Sequence, residues 1–366
     1  MTLPRRAGVH GQAGMMGLPR SVRRLAYAAL ALCIASSTQL TATSQAAAAL
    51  PPAFEAYLST AVHPTAAERK SIRTGAEFTK LLDGESSNEV IVFGSVWINA
   101  PMERYVAAVG DIESFERGGG FRITRKISSP PTLEDFAALK LPAEDVSDLR
   151  ACRVGECSVK LSEQAINAFR TQVDWKAAGA PAAADTLMRR LALEYVTGYL
   201  AGGNARLAVY RDKSRPTVVA DEFRAMVGQV PDLTTEMPML RRYLLEYPTF
   251  ALPDSTSFLY WQETRFGLKP TIRISHLVIQ ARPGVTLAAS KMILATHYFR
   301  TALELRALMP DPARGPGCWL ITTNRSRSDG LTGFIGRIVR VRARSGAQRA
   351  TSAALASTKR ILEQGR

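Results

Sequence analysis

The fold is decided near the C-terminus, by the stretch Asn324–Gly346, which reads NRSRSDGLTGFIGRIVRVRARSG. Its basic residues and glycines allow three interpretations: a phosphate-binding loop, an RNA-binding segment, or a strand end followed by a helix. A phosphate-binding loop needs the pattern G-x-x-x-x-G-K-[ST], and this stretch contains no lysine. An RNA-binding segment would interleave several aromatic residues, whereas Phe334 stands alone here. The strand end and helix start are therefore the favoured interpretation.

A long helix is predicted from this stretch to Gln364. Ser328 or Asp329 can cap its first backbone N–H groups, and Gly333 and Gly336 would let another element approach closely. The apolar positions that would face the rest of the domain are Leu331, Phe334, Ile335, Ile338, Val341, Leu355, Ile361 and Leu362. The arginines between them are predicted to lie on the outer face.

Four segments before this helix alternate between apolar and polar residues, which is typical of β-strands. They are Ser257–Gly267, Pro270–Arg282, Ser290–Leu308 and Gly317–Ser326. Because segments this close in sequence usually pair with their neighbours, an antiparallel meander is the economical arrangement. Residues 299–308 also have a helix-forming composition, so a helix is the alternative there.

The chain before the meander begins with a helical pattern over residues 50–82. Asn88–Pro101 is rich in Val, Ile, Phe and Trp and predicts a strand, and Pro101 opens a helix. A glycine turn and a short strand follow, up to about residue 128. Residues 130–250 are mostly helical in pattern, which predicts a helical insertion in the middle of the chain.

An apolar strand that ends in Ala100–Pro101, a helix that carries Asp111, a late meander and a long terminal helix together resemble the START-like, helix-grip superfamily. The matching parts cover about residues 88–128 and 257–364. The resemblance implies an α+β fold in which a curved antiparallel sheet grips the long C-terminal helix. Residues 50–366 would then form a single START-like domain, with an N-terminal helical extension and a helical elaboration at about 130–250.

The resemblance also implies that a hydrophobic small molecule, such as a lipid, sterol-like or isoprenoid compound, binds between sheet and helix. No cofactor is expected. The residues expected to line such a cavity are Trp97, Tyr260, Trp261, His276, His297, Tyr298, Phe299, Phe334 and Ile338. Any one of these side chains could equally be an ordinary core residue. The leading expectation is a carrier or binding protein rather than an enzyme.

The alternative is a cyclase- or hydrolase-like enzyme in which His276 or His297 acts as general base and Arg300 or Lys291 binds an anionic group. The sequence contains no G-x-S-x-G nucleophile elbow, no H-E-x-x-H metal motif and no G-x-G-x-x-G loop. We therefore predict neither a metal site nor a defined catalytic group.

The first 49 residues have the composition of a secretory signal peptide. They contain five arginines and no acidic residue, and the apolar run Leu25–Ala35 is followed by small residues that favour cleavage near Ala47–Ala49. A transmembrane helix needs about 20 apolar residues, so this run is too short for one, although an uncleaved anchor is the alternative. The expected location is periplasmic or secreted.

The charge that remains after export favours an anionic partner. Removing the five N-terminal arginines from the formal net charge of +15 leaves +10, which suits an anionic membrane surface. Nucleic acid is not expected as a partner, because an exported protein rarely meets it. A second alternative function is therefore a structural envelope protein that contacts the membrane through its basic helix.

Three cysteines follow the predicted signal peptide. Cys152 and Cys157 are separated by four residues, one of them glycine, and in an oxidising compartment this spacing predicts a local disulfide. Cys318 lies beside Trp319 and is predicted to be a buried thiol.

Overall fold

An eight-stranded antiparallel sheet forms the centre of the part of the chain that the structure describes. The computed structural model describes residues 49–117, 120–230, 237–265 and 269–365, and the predicted signal peptide lies outside the described residues. The strands are β1 (Phe78–Leu82), β2 (Glu89–Ile98), β3 (Phe121–Lys126), β4 (Val209–Tyr210), β5 (Thr217–Val218), β6 (Ser255–Arg265), β7 (Pro270–Arg282), β8 (Val285–Ala295), β9 (Phe299–Pro310) and β10 (Cys318–Ser328). The order in the sheet is β1-β2-β10-β9-β8-β7-β6-β3, and β4 pairs with β5 separately.

Helices precede the sheet, interrupt it and follow it, so the protein belongs to the predicted α+β class. They are α1 (Pro52–Tyr57), which continues as a π-helical turn (Leu58–Val62), α2 (Ala66–Arg73), α3 (Glu103–Gly110), α4 (Ile112–Phe115), α5 (Ala143–Ala151), α6 (Glu163–Gln172), α7 (Ala180–Gly202), α8 (Val219–Gly228), α9 (Pro238–Glu246) and α10 (Gly333–Gln364). Short 3-10 helices span Leu133–Phe136 and Gly203–Arg206. The helical middle and the long C-terminal helix are both as predicted.

The meander is present but has one strand more than predicted. The segment Ser290–Leu308 is neither one strand nor a helix, because it turns between β8 and β9, where Tyr298 has a φ of 59°. The helical pattern of residues 50–82 also ends early. Gly75 has a φ of 81° after α2, and the next residues form the edge strand β1, which pairs with β2.

Helices cover both faces of the sheet. On one face, α3, α4 and the second half of α10 pack against it. The buried residues of this layer include Val96, Tyr105, Val109, Ile112, Tyr260, Leu277, Ala288, Leu308, Leu320, Leu355 and Leu362. Gly94 of β2 lies under α10, where an added Cβ would come within 2.9 Å of Leu355 and 3.0 Å of Thr351.

The opposite face is covered by the N-terminal helices and the helical middle. Phe54 of α1 packs against Trp319 of β10, with ring centroids 5.3 Å apart. The helices α5–α7 pack on β6–β8, and α8 and α9 pack on the central strands. Because both faces are covered, β7 is buried at every position from Ile274 to Gln280, as in a sheet enclosed between two helical layers.

The start of the C-terminal helix differs from the prediction. Strand β10 extends to Ser328, and the helix begins only at Gly333, after Thr332, so the predicted caps Ser328 and Asp329 are wrong. The Asp329 carboxylate binds Lys160, Lys213 and Arg300 instead. An added Cβ on Gly336 would lie 2.7 Å from the backbone of Leu331, so this glycine accommodates the turn just before the helix rather than another element.

The cysteines occupy the predicted states. Cys152 and Cys157 form a disulfide at the end of α5, with Cα atoms 4.5 Å apart, and Cys318 is a buried thiol. Within the described residues, no helix combines the length and the hydrophobicity needed to cross a bilayer.

Candidate functional site

A cavity lies between the sheet and the short helices α3 and α4, on the face that α10 also covers. It is lined by Tyr105, Val109, Ile112, Phe115, Glu116, Tyr260, Leu277, Ala288, Ser290, Glu304 and Arg306. Its volume is about 10 Å³, which is room for about one water molecule. The walls are mostly apolar, and the polar groups gather on β8 and β9 and at the end of α4.

The polar groups of this cavity form a partly buried network around Arg306. Its Nε donates to Glu304 Oε1 at 2.7 Å, and its Nη1 donates to the Tyr105 hydroxyl at 3.3 Å. The hydroxyls of Tyr260 and Ser290 lie 2.8 Å apart. Burial raises the pKa of Glu116, against the opposing charge of Arg306. The cavity therefore combines apolar walls with polar groups at one end.

A larger, charged cleft lies on the opposite side of the sheet, with a volume of about 550 Å³. Lys213, Ser214, Arg215, Pro216, Thr217, Val218, Asp221, Glu222, Ala225, Arg300, Arg327 and Asp329 line it. Most of its cations already have carboxylate partners. Arg300 donates to Asp329 at 2.7 Å and to Glu222 at 3.0 Å, and Arg327 also lies 3.3 Å from Glu222.

Asp329 is the centre of the charge network beside this cleft. Its carboxylate lies 2.6 Å from Lys160 Nζ and 3.1 Å from Lys213 Nζ. Burial alone would raise the pKa of Asp329, but Lys160, Arg300 and Lys213 hold it well below its usual value. The carboxylate therefore stays ionised and neutralises Lys160, which is almost fully buried.

His276 lies in a buried cluster of tyrosines under the helical middle. Its Nδ1 is 2.9 Å from the Tyr199 hydroxyl and its Nε2 is 3.2 Å from the Tyr243 hydroxyl. The Tyr247 ring packs edge-on against it, with centroids 4.6 Å apart. Burial, together with the charge of Lys291, lowers the pKa of His276 to about 3. The imidazole is neutral at physiological pH and forms a hydrogen bond with each of the two tyrosine hydroxyls.

Lys291 lies opposite His276 in the register of β7 and β8. Its ammonium donates to Asn204 Oδ1 and lies 3.5 Å from the Tyr199 hydroxyl and 4.4 Å from the centroid of the Phe223 ring. It forms no ion pair with any of the described residues, and it is 1% exposed. Burial lowers the pKa of Lys291 to about 7. A neutral amine could act as a base, but neither of the two cavities above is lined by Lys291 or His276.

The second predicted histidine has a different structural partner. His297 Nε2 lies 2.8 Å from Asp145 Oδ1, and both side chains are buried. Tyr298, in the turn before β9, accepts a hydrogen bond from the Lys269 backbone N–H at 2.7 Å. Phe299 begins β9 and is partly buried. His297 and Tyr298 thereby hold the β8–β9 turn against α5 and the start of β7.

The structure therefore does not bring the predicted site residues together. Tyr260 is the member of that set that lines the cavity beside α3–α4. Trp97 packs edge-on against Trp319 under the N-terminal helices, and Trp261 donates to the Asp135 carbonyl under the helical middle. Phe334 and Ile338 are 82% and 53% exposed, so the prediction that they line a cavity is wrong.

The sequence interpretation missed the polar residues of the cavity. Glu304 and Arg306 fall on the polar side of the alternating segment Ser290–Leu308. Since β9 lies inside a sheet that is covered on both faces, the polar side of β9 is covered by α3 and α4 and is not exposed to solvent. A charged pair two residues apart on a central strand was the available signal for a buried polar site.

Comparison with known proteins adds no assignment, since the chain matches no family model and no curated protein significantly. The fold itself is compatible with the helix-grip arrangement, with an eight-stranded antiparallel sheet and a long C-terminal helix in the described residues. The helical middle, predicted as an elaboration of that arrangement, forms most of the helical layer on the second face.

Proposed function

We propose that this protein is an exported, non-enzymatic carrier for a small hydrophobic molecule. It binds this molecule in a START-like domain, between the sheet and the helices α3, α4 and α10. The observation that supports the proposal most directly is the cavity beside α3 and α4. Its apolar walls meet the partly buried ion pair of Arg306 and Glu304 and the Ser290 hydroxyl. Such a combination suits a lipid, sterol-like or isoprenoid compound with its polar end towards β8 and β9.

Ligand binding requires this cavity to widen. Pockets for drug-sized ligands usually measure about 300–1,000 Å³, whereas this one has a volume of about 10 Å³. The helices α3 and α4 are the cover that would move, because both are short and the chain leaves helical geometry between them at Asp111, with φ −99° and ψ 73°. Their outward movement would withdraw Tyr105 and Phe115 from the space that the ligand occupies.

The test is to identify what the protein carries and then to fill the cavity. Purified protein is extracted with organic solvent and the extract is examined by mass spectrometry, and an Ala288→Phe variant is treated in parallel. We expect a hydrophobic compound from the wild type and its loss from Ala288→Phe, since the new ring occupies the cavity floor.

Ala289→Phe is the matched control. Ala289 is the next residue of β8, is equally buried and packs on the opposite face, so its variant is overpacked by a similar amount, about 1–3 kcal/mol. It should keep the ligand. The proposal is refuted if the wild type yields no hydrophobic compound and binds no fluorescent fatty-acid analogue, or if Ala288→Phe keeps its ligand.

The enzyme alternative is distinguished by the histidines. Both are buried and hydrogen-bonded to tyrosine or aspartate side chains, so His276→Gln and His297→Gln should leave ligand extraction unchanged wherever the variants fold. A turnover that either substitution abolishes, with the fold intact, would favour the enzyme.

A further inference from the structure

The first turns of α10 expose an unusual row of large apolar side chains. Phe334, Ile338 and Val341 are 82%, 53% and 66% exposed. Positions i, i+4 and i+7 lie on the same face of a helix, so these side chains form one continuous row. The opposite side of the helix is anchored, because Ala343 and Ala347 pack on Val90 and Val92 of β2.

Arginines border this apolar row on both sides. At about 100° per residue, Arg337 and Arg342 lie on either side of the row, and both are exposed. The sequence from Gly330 to Leu362 contains no acidic residue, and the one carboxylate of the helix, Glu363 near its C-terminus, pairs with Lys359. We call Phe334, Arg337, Ile338, Val341 and Arg342 the exposed α10 face.

We propose that the exposed α10 face binds the surface of an anionic lipid bilayer. A helix that lies in a membrane interface combines a row of apolar side chains with flanking Lys and Arg, and binding grows with both the buried apolar area and the attraction to anionic headgroups. Phe334 and Ile338 enter the boundary between headgroups and acyl chains, while the arginines contact lipid phosphates. This inference goes beyond the carrier function and uses none of the cavity residues.

The charge distribution favours a bilayer over a second copy of this chain. Two copies joined through this face would bring their arginines together, and like charges in contact oppose association. A bilayer with anionic headgroups satisfies the arginines and also removes the apolar row from water. A nucleic acid would satisfy the arginines but would leave Ile338 and Val341 without an apolar environment.

The test compares vesicle binding by the full-length chain and its variants. Co-sedimentation is measured with vesicles of phosphatidylglycerol and phosphatidylcholine, in a ratio of about one to two, and with vesicles of phosphatidylcholine alone. One variant replaces Phe334, Ile338 and Val341 with serine, and another carries Arg337→Glu and Arg342→Glu. The N-terminal 48 residues are the same in all proteins, so any difference between them comes from the substituted positions.

Two control variants make the same kinds of change elsewhere. Leu133→Ser with Met239→Ser removes other exposed apolar side chains, and Arg224→Glu with Arg242→Glu changes the net charge by the same amount as the arginine variant. Circular dichroism and thermal melting verify that every variant is folded.

We expect each α10 variant to bind phosphatidylglycerol vesicles at least about tenfold more weakly than the wild type, while the controls bind as the wild type does. Raising the ionic strength from about 0.1 M to about 1 M should release the wild type, since the Debye length falls from about 10 Å to about 3 Å. The proposal is overturned if the controls lose as much binding as the α10 variants, or if the serine variant keeps full binding. It is also overturned if the α10 variants change only the oligomeric state in sedimentation velocity.

Discussion

Replacing Lys291 with methionine should change the stability of the protein with a sign that depends on pH. In the folded state Lys291 has a pKa of about 7, because burial disfavours its charge, whereas a lysine in an unfolded chain has a pKa of about 10.4. The difference of about 3.4 pKa units corresponds to about 5 kcal/mol, at about 1.4 kcal/mol for each unit.

The sign of the pH dependence follows from the number of protons that the folded and the unfolded states bind. Between pH 7 and about 10.4 the unfolded chain holds a proton that the folded protein has lost, so stability rises with pH in this window. Well below pH 7 the buried charge of Lys291 therefore destabilises the wild type by the whole of about 5 kcal/mol, and well above pH 10.4 it does not destabilise it at all.

Methionine removes this cost but also removes the donor to Asn204. Asn204 is partly buried, and an acceptor shielded from water that loses its partner costs about 1–3 kcal/mol at any pH. At pH 7, which equals the folded pKa, burying the charge costs about 4 kcal/mol, so Lys291→Met should be more stable than the wild type by about 1–3 kcal/mol there. At pH 10 it should be less stable by up to about 2 kcal/mol, with a crossover near pH 9. The double variant Lys291→Met with Asn204→Leu should recover most of the loss at pH 10, because both partners are then apolar.

The assay is guanidinium denaturation at pH 7 and pH 10, with each variant compared with the wild type at the same pH. Lys176→Met, which removes an exposed lysine, is the control and should change the free energy of unfolding little at either pH. A Lys291→Met variant that is destabilised equally at both pH values would refute the argument. That result would mean that the buried ammonium keeps its charge and an adequate partner.

Three further substitutions test other parts of the structure. Replacing Cys152 and Cys157 with serine opens a short disulfide loop and should lower the free energy of unfolding by about 2 kcal/mol, measured by thermal melting; an unchanged Tm would contradict this. Asp329→Asn leaves Lys160 buried with a weaker partner and should cost about 3 kcal/mol in urea denaturation at pH 7. Because the folded pKa of Asp329 is depressed, this cost should shrink as the pH falls below about 4, and a constant cost would argue against the charge network. Gly94→Ala places a Cβ against α10 and should cost about 1–3 kcal/mol in the same assay, whereas a neutral effect would show that the helix can shift.

The class of the fold could be predicted from the sequence because its main elements have regular patterns. Alternating residues mark four of the strands of the meander, and the helix-forming middle and the long C-terminal helix are readable from spacing alone. The conformation of individual turns and the residue at which α10 begins could not be predicted. The turn at Tyr298 requires a positive φ from a tyrosine, which is uncommon and has no sequence signal, and Asp329 looks like a helix cap although it is a partner of Lys160.

The candidate site was harder to predict, because a residue's role depends on what covers each face of the sheet. Trp261 and His276 are aromatic residues on well-predicted strands, but they face the helical middle rather than the side of the sheet that α3, α4 and α10 cover. Phe334 follows the apolar spacing of a core helix, yet α10 begins beyond the sheet contacts and exposes it. Periodicity identifies a face of an element, but it cannot tell whether that face meets the core, a second helical layer or solvent.

The place of β10 between β2 and β9 determines the order in which the chain can fold. Residue 98 of β2 pairs with residue 318 of β10, so β1 and β2 remain a two-stranded ribbon until most of the chain has been made. Such a ribbon is at best marginally stable in water, and pairing over so long a separation is slow. Before β10 arrives, β2 and β9 both present open strand edges, which are prone to aggregate. A chain truncated before Cys318 would therefore contain two separate, aggregation-prone half-sheets rather than a smaller copy of the same protein.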